Sequence, residues 1–184
     1  FDEGFYALQA RWILDKGNWI IPLWWDEYVL DRTIGLQFLI AKSQEIFGRN
    51  MFSAYLPVTA AAILMLFVTY KLHEEFFNKQ YAIVSPLILS TTYIWFDYSH
   101  LATQDVIYSC LVTIGIFSLI KIKSKNDKLY ILLFGIWIGL SFMMKTFLVF
   151  VPLLSFFPYL FLKRNLLLSK LFWLGLLIGF VPYI

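Results

Sequence analysis

Charged side chains at four places in an apolar chain are the residues most able to do chemistry. They are the adjacent acids Asp2 and Glu3, then Arg32, Asp105 and Lys145. A carboxylate that is partly shielded from water can have a raised pKa and act as a general base. A cation at a membrane surface can hold a lipid phosphate. Acids and cations on one side of a membrane would therefore suit the transfer of a group carried on a lipid phosphate.

Each of these residues also has an ordinary structural explanation. The N-terminal acidic pair could be solvated loop acids, and Arg32 could be solvated in the same way. Asp105 could be a first-turn acid that complements a helix dipole, with Thr103 as the cap. Lys145 could extend along apolar surface until it reaches lipid headgroups. The residue types alone leave both explanations open.

The composition of the rest of the chain indicates a membrane protein. Of 184 residues, 60% are hydrophobic and 20% are aromatic. A soluble domain of this length has too little interior to bury so much apolar surface, so lipid must solvate most of it. Six apolar runs have about the length needed to cross a bilayer, although the last ones are short. They lie near 53–72, 80–97, 105–121, 129–145, 147–162 and 168–184.

Lysine and arginine occur in alternate connections between these runs, and this alternation predicts the topology. The connections that carry them face the cytoplasm by the positive-inside rule. The basic residues are Lys71 and Lys79; Lys121, Lys123, Lys125 and Lys128; and Lys163, Arg164 and Lys170. Residues 1–52, the 98–104 connection and a tight turn at Lys145 then face outward. All the candidate residues therefore share the outer side.

Residues 1–52 are predicted to form a first outer loop, and residues 53–184 the transmembrane part of one larger membrane domain. Apolar residues at near-helical spacing over 3–16 and 33–47 predict two helices that are too polar to span and that lie in the membrane interface. Trp19, Trp24 and Trp25 are expected at headgroup level. The predicted fold class is all-α, a polytopic helical bundle with two interfacial helices and about six spans. We expect the chain to be a fragment of a longer protein.

Several other kinds of site and partner are not indicated. Cys110 is the single cysteine and lies within an apolar run, and no Cys or His spacing indicates zinc or haem. The sequence has no glycine-rich phosphate loop. The net charge of +3 is explained by the basic connections. The lipid bilayer is therefore an expected partner, and nucleic acid is not.

Short motifs follow one another in the order typical of a large membrane family. The motifs are Asp2-Glu3 with Tyr6-Ala7, Gly17-Asn18-Trp19-Ile20-Ile21-Pro22, Phe47-Gly48, Leu56-Pro57, Leu101-Ala102-Thr103-Gln104-Asp105 and Gly139-Leu140-Ser141-Phe142-Met143-Met144-Lys145. Together they resemble the dolichyl-phosphate-mannose–protein mannosyltransferase-like enzymes, which include the aminoarabinose transferase acting on lipid A. The likeness covers about residues 1–155.

The resemblance implies a GT-C glycosyltransferase that takes a sugar from a polyprenyl-phosphate carrier. Its active site would face outward from the plasma (inner) membrane, and its acceptor would be a lipid, a glycan or a protein. By the same resemblance Asp2, with Glu3 beside it, activates the acceptor hydroxyl, and Asp105 is the second catalytic acid. Lys145 would contact the carrier phosphate, and Tyr6 would line the same cavity.

Two departures from the family pattern leave the acceptor open. Where many members have Lys-Pro-Pro, this chain has Arg32-Thr33-Ile34, which keeps a cation for the carrier phosphate and, at Asp31, the preceding acid. Tyr55 replaces the arginine often found shortly before Pro57. The predicted reaction requires no cofactor, because cations can meet the charge of the leaving phosphate. Some relatives bind a divalent cation, for which Asp31 would be the weak candidate ligand.

Other classes of function remain open alternatives at this point. Another GT-C branch, oligosaccharyltransferase-like or related to O-antigen enzymes, could use similar boundary charges. A multipass transporter or lipid flippase could use the same charges as a pathway, but more often shows ionisable residues or broken helices near mid-membrane. A structural subunit without an active site is the third alternative. The mid-span residues are plain and the charges lie at one boundary, which favours surface chemistry over translocation.

Overall fold

The structure is a computed structural model, and it is almost entirely helical, which confirms the predicted fold class. It describes residues 2–25, 27–29, 33–124, 127–163 and 166–181. The chain divides into two compact units, Phe1–Cys110 and Leu111–Ile184, and each is described by itself. The predicted boundary between residues 52 and 53 separates an outer loop from membrane spans and stays a prediction.

The first unit begins with two helices whose bounds are close to the predicted ones. Helix α1 spans Asp2–Lys16 and helix α2 spans Gly35–Phe47. Each helix is followed by a glycine with positive φ, Gly17 at 71° and Gly48 at 81°. Glycine adopts this left-handed conformation without steric strain, so both helices stop where the sequence supplies a glycine.

A small antiparallel hairpin lies between these helices and packs on α1. Strand β1 (Leu23–Trp24) pairs with strand β2 (Glu27–Tyr28). The Trp24 ring stacks on Phe5, with centroids 4.5 Å apart, and meets Trp12 edge-on at 5.6 Å. The hairpin is therefore attached to α1 through aromatic contacts.

Helices α1 and α2 pack on each other through fully buried apolar side chains. These are Ala10, Ile13, Leu36 and Ile40. Helix α3 (Met51–Phe76) then begins at a capping box, in which the Asn50 side chain accepts the Ser53 N–H and the Ser53 hydroxyl accepts the Asn50 N–H. The start of the first span is thus fixed by local polar residues directly after Gly48.

Three helical stretches among the described residues are long and apolar enough to cross a membrane. They are Met51–Phe76, which is α3; Gln104–Lys121, which is α6; and Lys128–Ser155, which begins with α7. Their mean hydropathies are 2.0, 1.4 and 1.9. The first two correspond to the first and third predicted spans, and the last covers the fourth predicted span and the beginning of the fifth. The chain is therefore an integral membrane protein.

The second predicted span is divided into two short helices instead of one continuous helix. After a 3-10 turn at Lys79–Tyr81, helix α4 spans Val84–Thr91 and helix α5 spans Tyr93–Tyr98. Thr92 lies between them with an extended backbone (ψ 138°), and its hydroxyl donates to the Leu89 carbonyl at 2.8 Å. Threonine hydroxyls that bond back to the preceding turn compete with the helix ladder, which accounts for a break at this place.

The second unit is built around a parallel pair of helices, α7 (Lys128–Lys145) and α10 (Lys170–Phe180). Four glycines form their contact: Gly135 and Gly139 on α7 with Gly175 and Gly179 on α10. A methyl group built on Gly179 would lie 2.6 Å from the carbonyl oxygen of Ile136. The two backbones therefore touch, which only glycine at these positions allows.

The chain reverses direction at the end of α7, as the predicted turn requires. Thr146 has a φ of 42°, and a 3-10 turn (Thr146–Val149), α8 (Phe150–Ser155) and α9 (Phe157–Leu162) follow. The Lys163 ammonium then donates to the carbonyls of Leu119 and Ile122 at the end of α6.

The start of α7 lies at that same end of α6. The Asp127 carboxylate, directly before α7, accepts the N–H groups of Lys123 and Ser124 at 2.7 and 2.8 Å. Because both the start of α7 and residue 163 lie beside the end of α6, residues 146–162 must return along the length of α7. The alternation of direction that the basic connections predict therefore holds within this unit.

Candidate active site

The first acidic motif of the chain contacts the second one. Glu3 lies in the first turn of α1, and its Oε1 accepts the backbone N–H of Ala102 at 2.8 Å. Ala102 is only 1% exposed and precedes Asp105 by three residues. The Tyr55 side chain, from the first turns of α3, interacts electrostatically with the same carboxylate. Residues from α1, α3 and the connection before α6 thus meet at Glu3.

A second hydrogen bond brings a third predicted segment to the same place. The Gln104 side-chain amide donates to the Thr33 carbonyl at 3.3 Å, and Gln104 is itself 92% buried. Thr33 directly follows Arg32, and Gln104 directly precedes Asp105. Glu3, Thr33 and the start of α6, which carries Asp105, are therefore neighbours within the first unit.

We call the contacts of Glu3 with Ala102 and of Gln104 with Thr33 the junction. A pair of buried amides lies next to it. Gln9 on α1 and Gln37 on α2 are both fully buried, and their side chains are 2.8 Å apart. In the amide orientation that satisfies its neighbours, the Gln37 NH₂ group donates to the Thr33 carbonyl oxygen at 3.0 Å. The Thr33 carbonyl can accept two hydrogen bonds, so it can join α2 and the start of α6. Buried polar groups of this kind fix the arrangement of the helices that bear them.

Asp105 is half-buried in the first turn of α6 and lines a cavity of about 490 Å³. The cavity lies among α3, the α4–α5 break and α6, and its walls are mostly apolar. Thr92, Tyr98 and Ser109 add hydroxyl groups, and Asp105 is the one charged side chain among the described lining residues. An apolar cavity with one carboxylate can receive a lipid chain or the edge of a sugar next to that acid.

The capping explanation of Asp105 is not supported by the structure. The Thr103 hydroxyl is buried and finds no hydrogen-bond partner among the described residues, so it does not cap α6. The acid does occupy the first turn of the helix, where negative charge is favourable. The helix-dipole explanation does not account for the fact that the Asp105 side chain also lines a cavity.

Lys145 belongs to the second unit and is the last residue of α7. It is half-buried, and the backbone turns directly after it. Gly139, the first residue of the same motif, packs against the Gly179 backbone of α10. The motif therefore combines a helix-packing glycine with a cation at the helix end. The predicted convergence of Lys145 with the acids stays a prediction.

The remaining predicted site residues have less structural support. Tyr6 is only 5% exposed and meets Phe5 edge-on at 6.0 Å, so its ring offers little surface to a substrate. The side chain of Asp2 and the whole of Asp31 and Arg32 lie outside the described residues. Among the described residues, no group of three or more His, Cys, Asp and Glu side chains could hold a metal ion.

Sequence reasoning missed the residues that join the motif segments. Gln9 and Gln37 lie on the apolar faces of their helices, and a glutamine on such a face is a signal for a buried hydrogen bond. Tyr55 was noted only as a replacement for arginine, although it contacts Glu3. The repeated Gly-x-x-x-Gly spacing in two apolar runs was also readable as a helix-packing motif.

The chain is similar to several known proteins. The sequence profile described as dolichyl-phosphate-mannose-protein mannosyltransferase matches residues 31–184. Two similar relatives are named undecaprenyl phosphate-alpha-4-amino-4-deoxy-L-arabinose arabinosyl transferase. The protein from Wigglesworthia glossinidia brevipalpis is 30% identical over 173 residues, which are 89% of this chain and 30% of that protein. The protein from Enterobacter sp. (strain 638) is 27% identical over 174 residues, which are 89% of this chain and 31% of that protein.

Solved structures of the same fold are also similar. The crystal structure of ArnT from Cupriavidus metallidurans bound to undecaprenyl phosphate matches 100% of this chain and 36% of that chain, with a TM-score of 0.87 and 18% identity. Its apo state matches with a TM-score of 0.85. The chain thus spans about a third of the length of these relatives. Because the profile matches most of its length, the chain belongs to the dolichyl-phosphate-mannose-protein mannosyltransferase family.

Proposed function

We propose that this chain is part of a glycosyltransferase that moves a sugar from a polyprenyl phosphate to an acceptor at the outer face of the plasma membrane. The observation that carries the proposal is the meeting of the three motif segments through the Glu3–Ala102 and Gln104–Thr33 hydrogen bonds. Asp2 is adjacent to Glu3 and Asp105 is adjacent to Gln104, so these two bonds bring together the segments that carry the proposed acids. The family profile and the names of the relatives support the same reaction class.

In the proposed reaction, Asp2 takes the proton of the acceptor hydroxyl as its oxygen attacks the anomeric carbon. The bond between that carbon and the phosphate oxygen breaks, and the carrier leaves as its phosphate. Lys145 and Arg32 meet the charge that develops on the phosphate. Asp105 orients the acceptor or the sugar beside the apolar cavity. The configuration at the anomeric carbon is inverted, and the proposed reaction requires no metal.

The names of the relatives suggest which substrates to use first. They describe transfer of 4-amino-4-deoxy-L-arabinose from undecaprenyl phosphate, and one similar structure holds undecaprenyl phosphate. We propose a polyprenyl-phosphate sugar as donor and a lipid as acceptor. The apolar cavity that reaches Asp105 fits a lipid substrate better than a soluble one.

The proposed base is tested by Asp2→Asn in the full-length protein, assayed in membranes with undecaprenyl-phosphate aminoarabinose. Loss of a general base is expected to lower the transfer rate by a factor of about 10² to 10⁴, with expression unchanged. Asp15→Asn is the matched control, because Asp15 lies on the same helix and forms an exposed ion pair with Arg49, which contributes little to stability. A fully active Asp2→Asn enzyme would exclude this base.

The outward orientation is tested by labelling with a membrane-impermeant maleimide. In a Cys110→Ala background, cysteine replaces His100 in one variant and Ser124 in another, both exposed in the structure. The His100→Cys protein is expected to react in intact cells, and the Ser124→Cys protein only after lysis. The reverse pattern would invert the topology and remove the proposed outer site.

A further inference from the structure

We infer that Glu3 is a positioning residue that holds the connection before α6 and thereby places Asp105, while proton transfer is left to Asp2. The inference rests on the proposed function and assigns different tasks to two adjacent acids. Asp2 and Glu3 are both acids, so residue type alone does not show which task each one has. The groups that contact the Glu3 carboxylate indicate its task.

The first partner is a backbone group that needs an acceptor. The N–H of Ala102 donates to Glu3 Oε1 at 2.8 Å, and Ala102 is 1% exposed. A buried backbone N–H without an acceptor is strongly unfavourable, so this bond is a structural requirement of the connection. The two residues are 99 positions apart, so the bond fixes α1 against a distant segment.

The second partner approaches the carboxylate from another helix. Tyr55 on α3 interacts electrostatically with Glu3, and it lies in the helical turn that follows the capping box of Asn50 and Ser53. The Glu3 side chain therefore interacts with both α3 and the connection that contains Ala102. A carboxylate that accepts a buried backbone amide is oriented by the protein and suited to a fixed structural contact.

Ala102 lies only three residues before Asp105, so its position constrains the position of Asp105. The Thr103 N–H donates to the Leu101 carbonyl at 2.8 Å, so the backbone on both sides of Ala102 is tied together. Helix α6 starts at Gln104, and Asp105 is its second residue. A displacement of Ala102 would therefore move the first turn of α6, and with it the carboxylate that lines the cavity.

The test compares two substitutions of Glu3 in the full-length protein. Glu3→Gln keeps a side-chain oxygen that can accept the Ala102 N–H but cannot act as a base. Glu3→Ala removes the acceptor. Transfer from undecaprenyl-phosphate aminoarabinose is measured as kcat and KM, and hydrogen exchange of residues 98–104 reports the connection itself. Glu45→Gln and Glu45→Ala are the matched controls, because Glu45 is an exposed acid on α2 that pairs with Lys42.

For a positioning role, Glu3→Gln is expected to keep kcat within about threefold of the wild type, with exchange in 98–104 unchanged. Glu3→Ala is expected to lose at least tenfold in kcat, with faster exchange in the same segment. Tyr55→Phe is expected to fall between them, and it keeps the test decisive if Glu3→Ala does not accumulate. The Glu45 variants should match the wild type in both measurements.

Two results would overturn the inference. If Glu3→Gln is as inactive as Glu3→Ala while exchange in 98–104 is unchanged in both, Glu3 takes part in proton transfer. If both variants are fully active with unchanged exchange, the contact positions nothing. Exchange is measured without any substrate, so it tests the contact even if the wild type does not use this donor. A failure of the proposed function would instead appear as absence of transfer in the wild type.

Discussion

The junction around Glu3 in the first unit and the α7–α10 pair in the second unit fix the positions of their backbone segments by opposite means. At the junction, polar side chains join backbones that are far apart in sequence. In the helix pair, glycines remove side chains altogether and let two backbones touch. Both arrangements must specify one packing in an environment where lipid is as apolar as the protein interior.

The comparison shows why burial of apolar surface is not sufficient to position these elements. Large apolar side chains such as Phe67 on α3 and Leu177 on α10 are mostly exposed in the structure, where lipid would cover them. Since they gain little by moving from lipid into the protein, they do not select one arrangement. The hydrogen bonds around Glu3 and the close backbone contact between α7 and α10 select one arrangement.

The largest effect is expected from breaking the helix pair with Gly175→Val. A side chain at this position would collide with the Leu132 carbonyl on α7, and its nearest neighbours are backbone atoms of Leu132 and Ile136 that cannot rotate away. We expect a loss of about 3 kcal/mol in the free energy of unfolding, measured by thermal unfolding in detergent. Gly4→Ala is the control, because no atom lies within 4 Å of a methyl group built there. A Gly175→Val protein as stable as the wild type would show that the contact is dispensable.

A smaller effect is expected when one hydrogen bond of the junction is removed by Gln104→Leu. The substitution keeps the volume but loses the donor to the Thr33 carbonyl, which Gln37 can still reach. We expect a loss of about 1 kcal/mol and a decrease in transfer rate of a few-fold. If the rate falls as far as in Asp2→Asn, Gln104 contacts substrate, and the junction would be part of the chemistry itself.

The smallest effect is expected at Asp127, whose carboxylate joins the C-terminal end of α6 to the N-terminal end of α7. The N–H groups of Ser124 and Lys123 donate to this carboxylate and hold its pKa below the ordinary value. Since the folded pKa is the lower one, the contribution to stability is present above the ordinary pKa of about 3.9 and is lost as the pH falls through the folded value.

The stability difference between the wild type and Asp127→Ala should therefore be small but measurable at pH 7 and should vanish at strongly acidic pH. Thermal unfolding at a series of pH values checks this. A difference that is constant with pH would mean that Asp127 acts through packing and not through its charge.

The sequence predicted some elements because their causes are local. The bounds of α1 and α2 follow apolar spacing and a terminal glycine, and α3, α6 and α7 follow apolar length. The division of the second predicted span at Thr92 was not predicted, because a threonine in an apolar run is compatible with a continuous helix. Only the hydroxyl bond to Leu89 and the extended backbone show the break.

The sequence predicted a set of candidate site residues, but not the contacts that these residues make. The family motifs name Asp2, Glu3 and Asp105 together, and the spacing of the motifs says nothing about which atoms meet. None of the relatives reported above is a transporter, so the transporter alternative gains no support from them. Glu3 was predicted to be catalytic, whereas its contacts with Ala102 and Tyr55 suggest that it positions the site.

By itself, the sequence determined that this chain is an all-helical membrane protein with its candidate charges at one predicted boundary. Composition, apolar length and the alternation of basic connections suffice for that, because each depends on the interaction of a segment with its solvent. The tertiary structure alone decided that Glu3 meets Ala102, that Gln104 meets Thr33, and that α7 and α10 touch through glycine. Such contacts depend on the mutual positions of distant backbones, which no local pattern encodes.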